Sequence, residues 1–301
     1  MMYPILLKVR YEELPKLVRL RELWIQILFS VIANWIIAPL FMVGLSWAFL
    51  PDRTGLREGL ILVGVARCIA MVLVWTDLAR GDSEYCAMLV AFNSLLQILL
   101  FAPLAVFYIR IVSHSRTDVT ISYEIVAKSV AVFLGIPLAA AVVTRFVVLF
   151  GIFKGDMEKW RRNFVRWIAP WSLIGLLFTI LVLFASQSRN VVGKITSVLR
   201  VCAPLVVYFL VIFAAAVWAC RLLGRGGKRK RWGYGKTVTQ SLTAASNNFE
   251  LAIAVAVACY GAGSEQALAA TVGPLVEVPV LLALVEAMKF MKGRLNWQDE
   301  E

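Results

Sequence analysis

An arginine and a cysteine stand side by side at 67 and 68 inside VARCIAMVLVW (65–75), a run otherwise apolar enough for a bilayer. A second apolar run is interrupted by SNNFELA (246–252), which brings Ser246, Asn247, Asn248 and Glu250 together. Ionisable groups at membrane depth are expensive, so they face a partner or a cavity. A thiolate is both nucleophile and ligand for soft centres, and a neighbouring arginine or the N-terminus of a half-helix favours that form over the thiol. Arg67 itself calls for an anion, and Glu250 or the Cys68 thiolate is the candidate. Glu277 lies in the last apolar run between Pro274 and Pro279, which loosen the helix and free carbonyls for polar contacts. A buried carboxyl can take up a proton on one side of a membrane and lose it on the other. Glu250 and Glu277 are therefore proton-carrying candidates, and Asn247 and Asn248 can serve a polar cargo or cap carbonyls exposed at a helix break.

The elements that must position these groups follow from hydropathy. The 301 residues are 60% hydrophobic, with a mean hydropathy of +0.78. Soluble domains are nearer 45–50% apolar, whereas repeated apolar runs of about 20 residues read as membrane helices. Long runs occupy 24–50, 58–79, 85–109, 125–150, 168–187, 196–220, 237–260 and 266–290, with a stub at 1–8. Connections are short, so residues 1–301 read as a single all-α, multi-pass transmembrane domain. Net charge is +12, which in a soluble protein would suggest nucleic acid. Here 21 Lys or Arg fall on one set of loops (8–22, 80, 154–166, 221–236 and the tail) and only 7 on the other. That asymmetry puts the first set, and the C-terminus, in the cytoplasm and argues against a nucleic-acid partner. The basic connector LGRGGKRKRWGYGK (223–236) suits anionic headgroups. Its GYGKT ending is no phosphate-binding loop, because Lys230 stands where that loop needs glycine. The other cysteines, Cys86, Cys202, Cys220 and Cys259, show no metal or disulfide spacing, and the one histidine, His114, is in a polar loop. No cofactor is indicated. A membrane enzyme with Cys68 as nucleophile would lack a histidine base.

The two interruptions are 180 residues apart, Ala66-Arg67-Cys68 matching Ser246-Asn247-Asn248. The same offset pairs Gly81 with Gly261 and Gln97 with Glu277. A repeat of that length maps run 168–187 onto the stub and run 125–150 before residue 1. The first repeat helix and most of the second, roughly 50–60 residues at a rise of about 1.5 Å each, are then expected to be missing. Two five-helix halves of odd number insert in opposite senses, and inverted halves with crossing broken helices are a secondary-transporter architecture.

YPILLKV (3–9), NWIIAPLFM (34–42), ARCIAMVLVW (66–75), AFNSLLQ (91–97), SNNFELAIAVA (246–256) and GPLVEVPVLL (273–282) together resemble the yeast-and-bacterial arsenite efflux permeases of the bile acid/sodium symporter superfamily. The resemblance covers nearly the whole chain in order. It implies a panel and a core domain, and extrusion of trivalent arsenic (arsenite, and antimonite in some members) by proton antiport in the plasma membrane. It also implies functional positions at Asn34, Trp47, Arg67, Cys68, Trp75, Asn93, Glu250 and Glu277. Cys68 is then the ligand for trivalent arsenic, one thiolate being weak enough to release it. Arg67 is expected to sit as a fixed charge where related symporters hold sodium. Asn34, Asn93, Asn247 and Asn248 would donate to arsenite hydroxyls or cap carbonyls. Trp47 and Trp75 would line the path or anchor span ends. Two other readings remain: a sodium-coupled organic anion or bile acid symporter, with no need of Cys68, and a non-transporting truncated membrane protein.

Overall fold

A computed structural model describes residues 2–7, 21–114, 123–168, 193–224, 232–294 and 297, together with 170, 171, 174, 175, 177, 178, 181, 182 and 185. The basic loops at 8–20 and 225–231, and much of the expected span 168–187, lie outside these residues. Apart from one isolated bridge, the described residues form helices and their connections. Among the described residues, five stretches are long and apolar enough to cross a membrane: Leu23–Phe49, Ser83–Val112, Tyr123–Ile152, Ile195–Leu223 and Glu265–Arg294.

In chain order, α1 is Met2–Leu6, followed by α2 (Arg21–Val31), a π-helical turn (Ile32–Ile37) and α3 (Ala38–Phe49). Pro39 has no N–H to offer the Trp35 carbonyl, and Tyr108 fills the gap, its hydroxyl donating to that oxygen at 3.2 Å. The first broken helix is α4 (Thr54–Val65) and α5 (Met71–Leu78). Next come α6 (Ser83–Val106), α7 (Tyr123–Val130), α8 (Ile136–Phe146), α9 (Met157–Trp160) and the long α10 (Ile195–Leu223). The second broken helix is α11 (Tyr234–Ala245) and α12 (Phe249–Tyr260), and α13 (Glu265–Arg294) closes the fold.

The broken helices are held among α3, α6, α10 and α13, while α1 packs on α8. Tyr3 ties α1 to Thr144 at 3.0 Å, and Arg145 donates to the Leu7 carbonyl at 2.9 Å. The α12 half faces α7, so the second broken helix lies between these two groups of helices.

The first half of the second broken helix is less apolar than its neighbours, yet Thr237, Thr239, Ser241 and Thr243 are all buried. Each hydroxyl finds a carbonyl at or near the previous turn, as in Ser241 to Thr237 (2.8 Å) and Thr243 to Thr239 (2.6 Å). Such back-bonding leaves no hydroxyl unsatisfied. Gln240 reaches further, donating to the Tyr85 hydroxyl at 2.6 Å and the Gln26 carbonyl at 3.1 Å.

Helices α4 and α13 meet through glycine. A Cβ on Gly59 would lie 2.5 Å from the Gln266 carbonyl oxygen and 2.8 Å from the Ala269 Cβ. Small residues allow such approach where lipid supplies no hydrophobic drive between helices. Gly59→Ala is expected to cost about 1–3 kcal/mol by overpacking. Gly44→Ala, where nothing lies within 4 Å, is the control. Thermal unfolding in detergent reads the difference, and equal melting temperatures would contradict the close approach.

At the less basic end, Arg200 on α10 forms an ion pair with Asp52 in the turn before α4. The Arg200 hydrogen bond holds the Asp52 carboxyl at about 2, below its ordinary 3.8. A carboxyl lowered in this way stabilises the fold above its ordinary range and loses that contribution as pH falls through about 2. Asp52→Asn should therefore lower the melting temperature by the same small amount at about pH 5 and about pH 8, and less at high salt. An effect that changes between those two pH values would count against the pairing.

Candidate functional site: a reciprocal crossing of two broken helices

The two breaks meet. Arg67 and Asn247 form an antiparallel bridge, and the Asn248 N–H donates to the Ala66 carbonyl at 2.9 Å. In a bilayer a backbone group freed at a helix break has no water to turn to, so the protein must partner it. Here each break serves the other. The Asn247 side-chain amide donates to the carbonyls of Val63 (2.7 Å) and Ala66 (3.3 Å), at the end of α4. The Arg67 guanidinium donates to the Ala244 carbonyl (3.3 Å), at the end of α11.

The backbone N–H groups of the bridge residues are held in the same symmetric way. That of Arg67 donates to Gln97 Oε1 at 2.6 Å, and that of Asn247 donates to Glu277 Oε1 at 3.1 Å. Both acceptors come from the next long helix, 30 residues further on. The offset of 180 that pairs Gln97 with Glu277 in the sequence is thus matched bond for bond. The halves differ in how α5 and α12 start. Asn248 caps α12, its side chain accepting from the Leu251 N–H at 3.2 Å, whereas Ala70 before α5 has no capping side chain.

Charge breaks the symmetry. One half brings the guanidinium of Arg67 and a neutral Gln97, and the other brings a neutral Asn247 and the carboxyl of Glu277. Arg67 is fully buried and Glu277 is 3% exposed. Electrostatically, Glu277 feels Arg67 and also Glu250, which is half-buried in the first turn of α12. Arg67 does not pair with the expected Glu250 carboxylate or Cys68 thiolate. Among the described residues its guanidinium binds only the Ala244 carbonyl and the hydroxyl of Tyr208, the latter at 2.9 Å. The physical reason is the break itself, because the carbonyls ending a half-helix carry the negative pole of its dipole.

Cys68 follows Arg67 directly, 2% exposed, with its thiol next to the Ser246 hydroxyl of the other break. The sulfur thus belongs to the crossing, and nothing reaches it without a parting of helices. Asn93 is buried on α6, accepting from Trp35 at 3.3 Å. Asn34 donates to the Ser30 carbonyl (2.7 Å) and hydroxyl (3.0 Å) within the α2–α3 span. Trp75 is buried on α5. Trp47 is not brought to the crossing. It is 41% exposed at the end of α3, where its indole N–H donates to Ser113 and the Arg57 guanidinium lies 3.8 Å over its ring. That is the setting of a span-end anchor.

Several buried polar atoms at the crossing and on the helices beside it have no hydrogen-bond partner among the described residues. The donors are Arg67 Nε, Trp75 Nε1, Asn93 Nδ2, Gln97 Nε2 and Asn248 Nδ2, and the acceptors are Asn34 Oδ1 and Asn247 Oδ1. Buried polar groups are ordinarily paired, so these atoms are available to bond a polar guest or water. Sequence reasoning missed Tyr208 and gave Gln97 no role. The signal for Tyr208 was one phenol inside the apolar run 196–220, and for Gln97 it was the offset to Glu277.

Residues 1–194 match the Sodium Bile acid symporter family. The Arsenical-resistance protein Acr3 of Corynebacterium glutamicum is 44% identical over 299 residues, covering 98% of this chain and 77% of that protein. The chain belongs to the arsenical-resistance permeases of that family. The Acr3 protein of Alkaliphilus metalliredigens is 30% identical, covering 95% of this chain and 78% of the relative. The Synechocystis Uncharacterized transporter slr0944 is also 30% identical, over 96% and 76%. Membership makes the chain a multi-pass membrane transporter for arsenicals.

Tyr208→Phe tests the arginine's setting. The variant leaves one buried guanidinium N–H without an acceptor, at a cost of about 1–3 kcal/mol. A lowered melting temperature in detergent is the expected result, and an unchanged one would show that Arg67 does not depend on the phenol.

Proposed function

We propose that this permease exports trivalent arsenic, taken up as arsenous acid from the cytoplasm, in exchange for protons. The observation that carries the reading is the placement of one thiol, one guanidinium and one carboxyl at the crossing of two inverted broken helices. The relatives named for arsenical resistance support the cargo.

The chemistry is a reversible ligand exchange. The Cys68 thiol gives its proton and the arsenic centre gives a hydroxyl, which leave together as water while an As–S bond forms. Water reverses the step on the far side. A soft centre prefers sulfur over the oxygen ligands of the cytoplasm, and the same preference extends to antimonite. A single sulfur binds firmly enough to select yet loosely enough to release, as conduction through any carrier requires.

Glu277 and Glu250 carry the proton in this scheme. A neutral Glu277 keeps an acceptor for the Asn247 N–H but loses the charge-assisted part of that bond and its attraction to Arg67. Protonation thus weakens the hold on the second broken helix, and its rocking against α7 exposes the thiol to the opposite side. Arg67 supplies a fixed positive charge at the crossing, which counts against the sodium-coupled reading. The plasma membrane, with the C-terminus inside, is the location that fits export.

Everted vesicles in sodium-free buffer provide the test. Arsenite uptake driven by an acid interior is expected in the unsubstituted protein, and Cys68→Ala should reduce it by at least about 10-fold, or about 1.4 kcal/mol. Glu277→Gln and Glu250→Gln should abolish the response to the proton gradient. Full activity of Cys68→Ala, or a requirement for sodium, would remove the corresponding part of the scheme.

A further inference from the structure

We propose that Gln97 is a cargo ligand, presenting its side-chain NH2 to a hydroxyl oxygen of the bound trihydroxy acid. The inference rests on the transport reading above and extends it to a residue that neither the family motifs nor the charge pattern assigned.

Gln97 is fully buried on α6. Its oxygen is already committed, accepting from the Arg67 N–H at 2.6 Å. An amide whose oxygen is fixed has its nitrogen fixed as well, pointing the opposite way. That nitrogen, Nε2, has no hydrogen-bond partner among the described residues. Asn93 is four residues earlier, so both amides share one face of α6 one turn apart. Asn93 repeats the arrangement, with its oxygen taken by the Trp35 indole at 3.3 Å and its Nδ2 without a partner, again at zero exposure. Two amides on one face, each oriented by a bond to its oxygen and each with a spare donor, form a ladder of N–H groups beside the residue preceding Cys68.

The chemistry of the guest matches. A pyramidal trihydroxy acid bound to sulfur through its central atom still presents hydroxyl oxygens, which accept hydrogen bonds, and hydroxyl protons, which donate them. One half of the molecule supplies donors at Asn93 and Gln97. The other supplies acceptors, Glu277 and the unpartnered Asn247 Oδ1. Asn248 Nδ2 adds a further spare donor and Asn34 Oδ1 a further spare acceptor, so both halves offer donors and acceptors to such a guest. A site with spare donors also selects against guests without oxygen, because an unpaired buried amide is costly.

The experiment is arsenite equilibrium exchange in vesicles, which requires no gradient, with half-saturation and maximal rate measured separately. Gln97→Glu keeps an oxygen for the Arg67 N–H and removes the NH2, whereas Gln97→Met removes both. A ligand role predicts that both variants raise the half-saturation concentration by about 10-fold, the loss of one buried hydrogen bond. Gln97→Glu should do so with unchanged folded protein. A purely structural role predicts wild-type half-saturation in Gln97→Glu and damage only in Gln97→Met, and that result would overturn the proposal. If the buried carboxyl prevents Gln97→Glu from folding, Gln97→Met decides, and wild-type half-saturation in folded Gln97→Met would overturn the proposal. If the unsubstituted protein shows no arsenite exchange, the transport reading falls and takes this assignment with it. Exchange in the unsubstituted protein with no shift in Gln97→Glu defeats the assignment alone.

Discussion

Everything in this molecule depends on pairing backbone groups where two helices stop inside the membrane. A break strands N–H and C=O groups in a place without water, where each unpartnered group costs several kcal/mol. The solution is reciprocal. Asn247 reaches the end of α4, Arg67 reaches the end of α11, and a side chain from the next long helix takes each bridge N–H. Neither break is stable without the other, so they form one unit, and the only thiol beside Arg67 is part of it.

This arrangement explains why a positive charge is tolerated at such depth. The C-terminal ends of α4 and α11 converge on the crossing, bringing two negative dipole poles together. The Arg67 guanidinium answers one of them directly, and Tyr208 accepts from its other nitrogen. The arginine therefore needs no carboxylate in contact. That leaves the Glu277 carboxyl tied to a backbone N–H rather than locked in a short ion pair, a condition under which its charge can change without the fold losing a salt bridge.

The helices around this centre supply its close contacts and its polar partners. Glycine contacts bring α4 against α13, the long α10 supplies Tyr208, and α6 supplies the amides. Of the two broken helices it is the α12 half that packs on α7, and α6 also meets α7 from the core side. Motion is then expected where the two groups of helices meet, with the crossing travelling as a body.

Much of this was legible in the chain. Hydropathy marked the chain as a multi-pass membrane protein. The motif order gave the family, and the offset of 180 announced a repeat with Arg67 and Asn247 as equivalents. These signals are local or periodic, so one dimension is enough to carry them. Tertiary structure decided where α4 stops and what holds both stops open. Neither break contains proline or glycine, and Ala66 and Ala70 are good helix formers. No local propensity therefore ends α4 at Val65. The partners that do, Asn248, Gln97 and Asn247, lie 30 to more than 180 residues away. The partner of Arg67 was misjudged for the same reason. A sequence shows carboxylates and thiols, but it does not show a carbonyl that a distant break has set free.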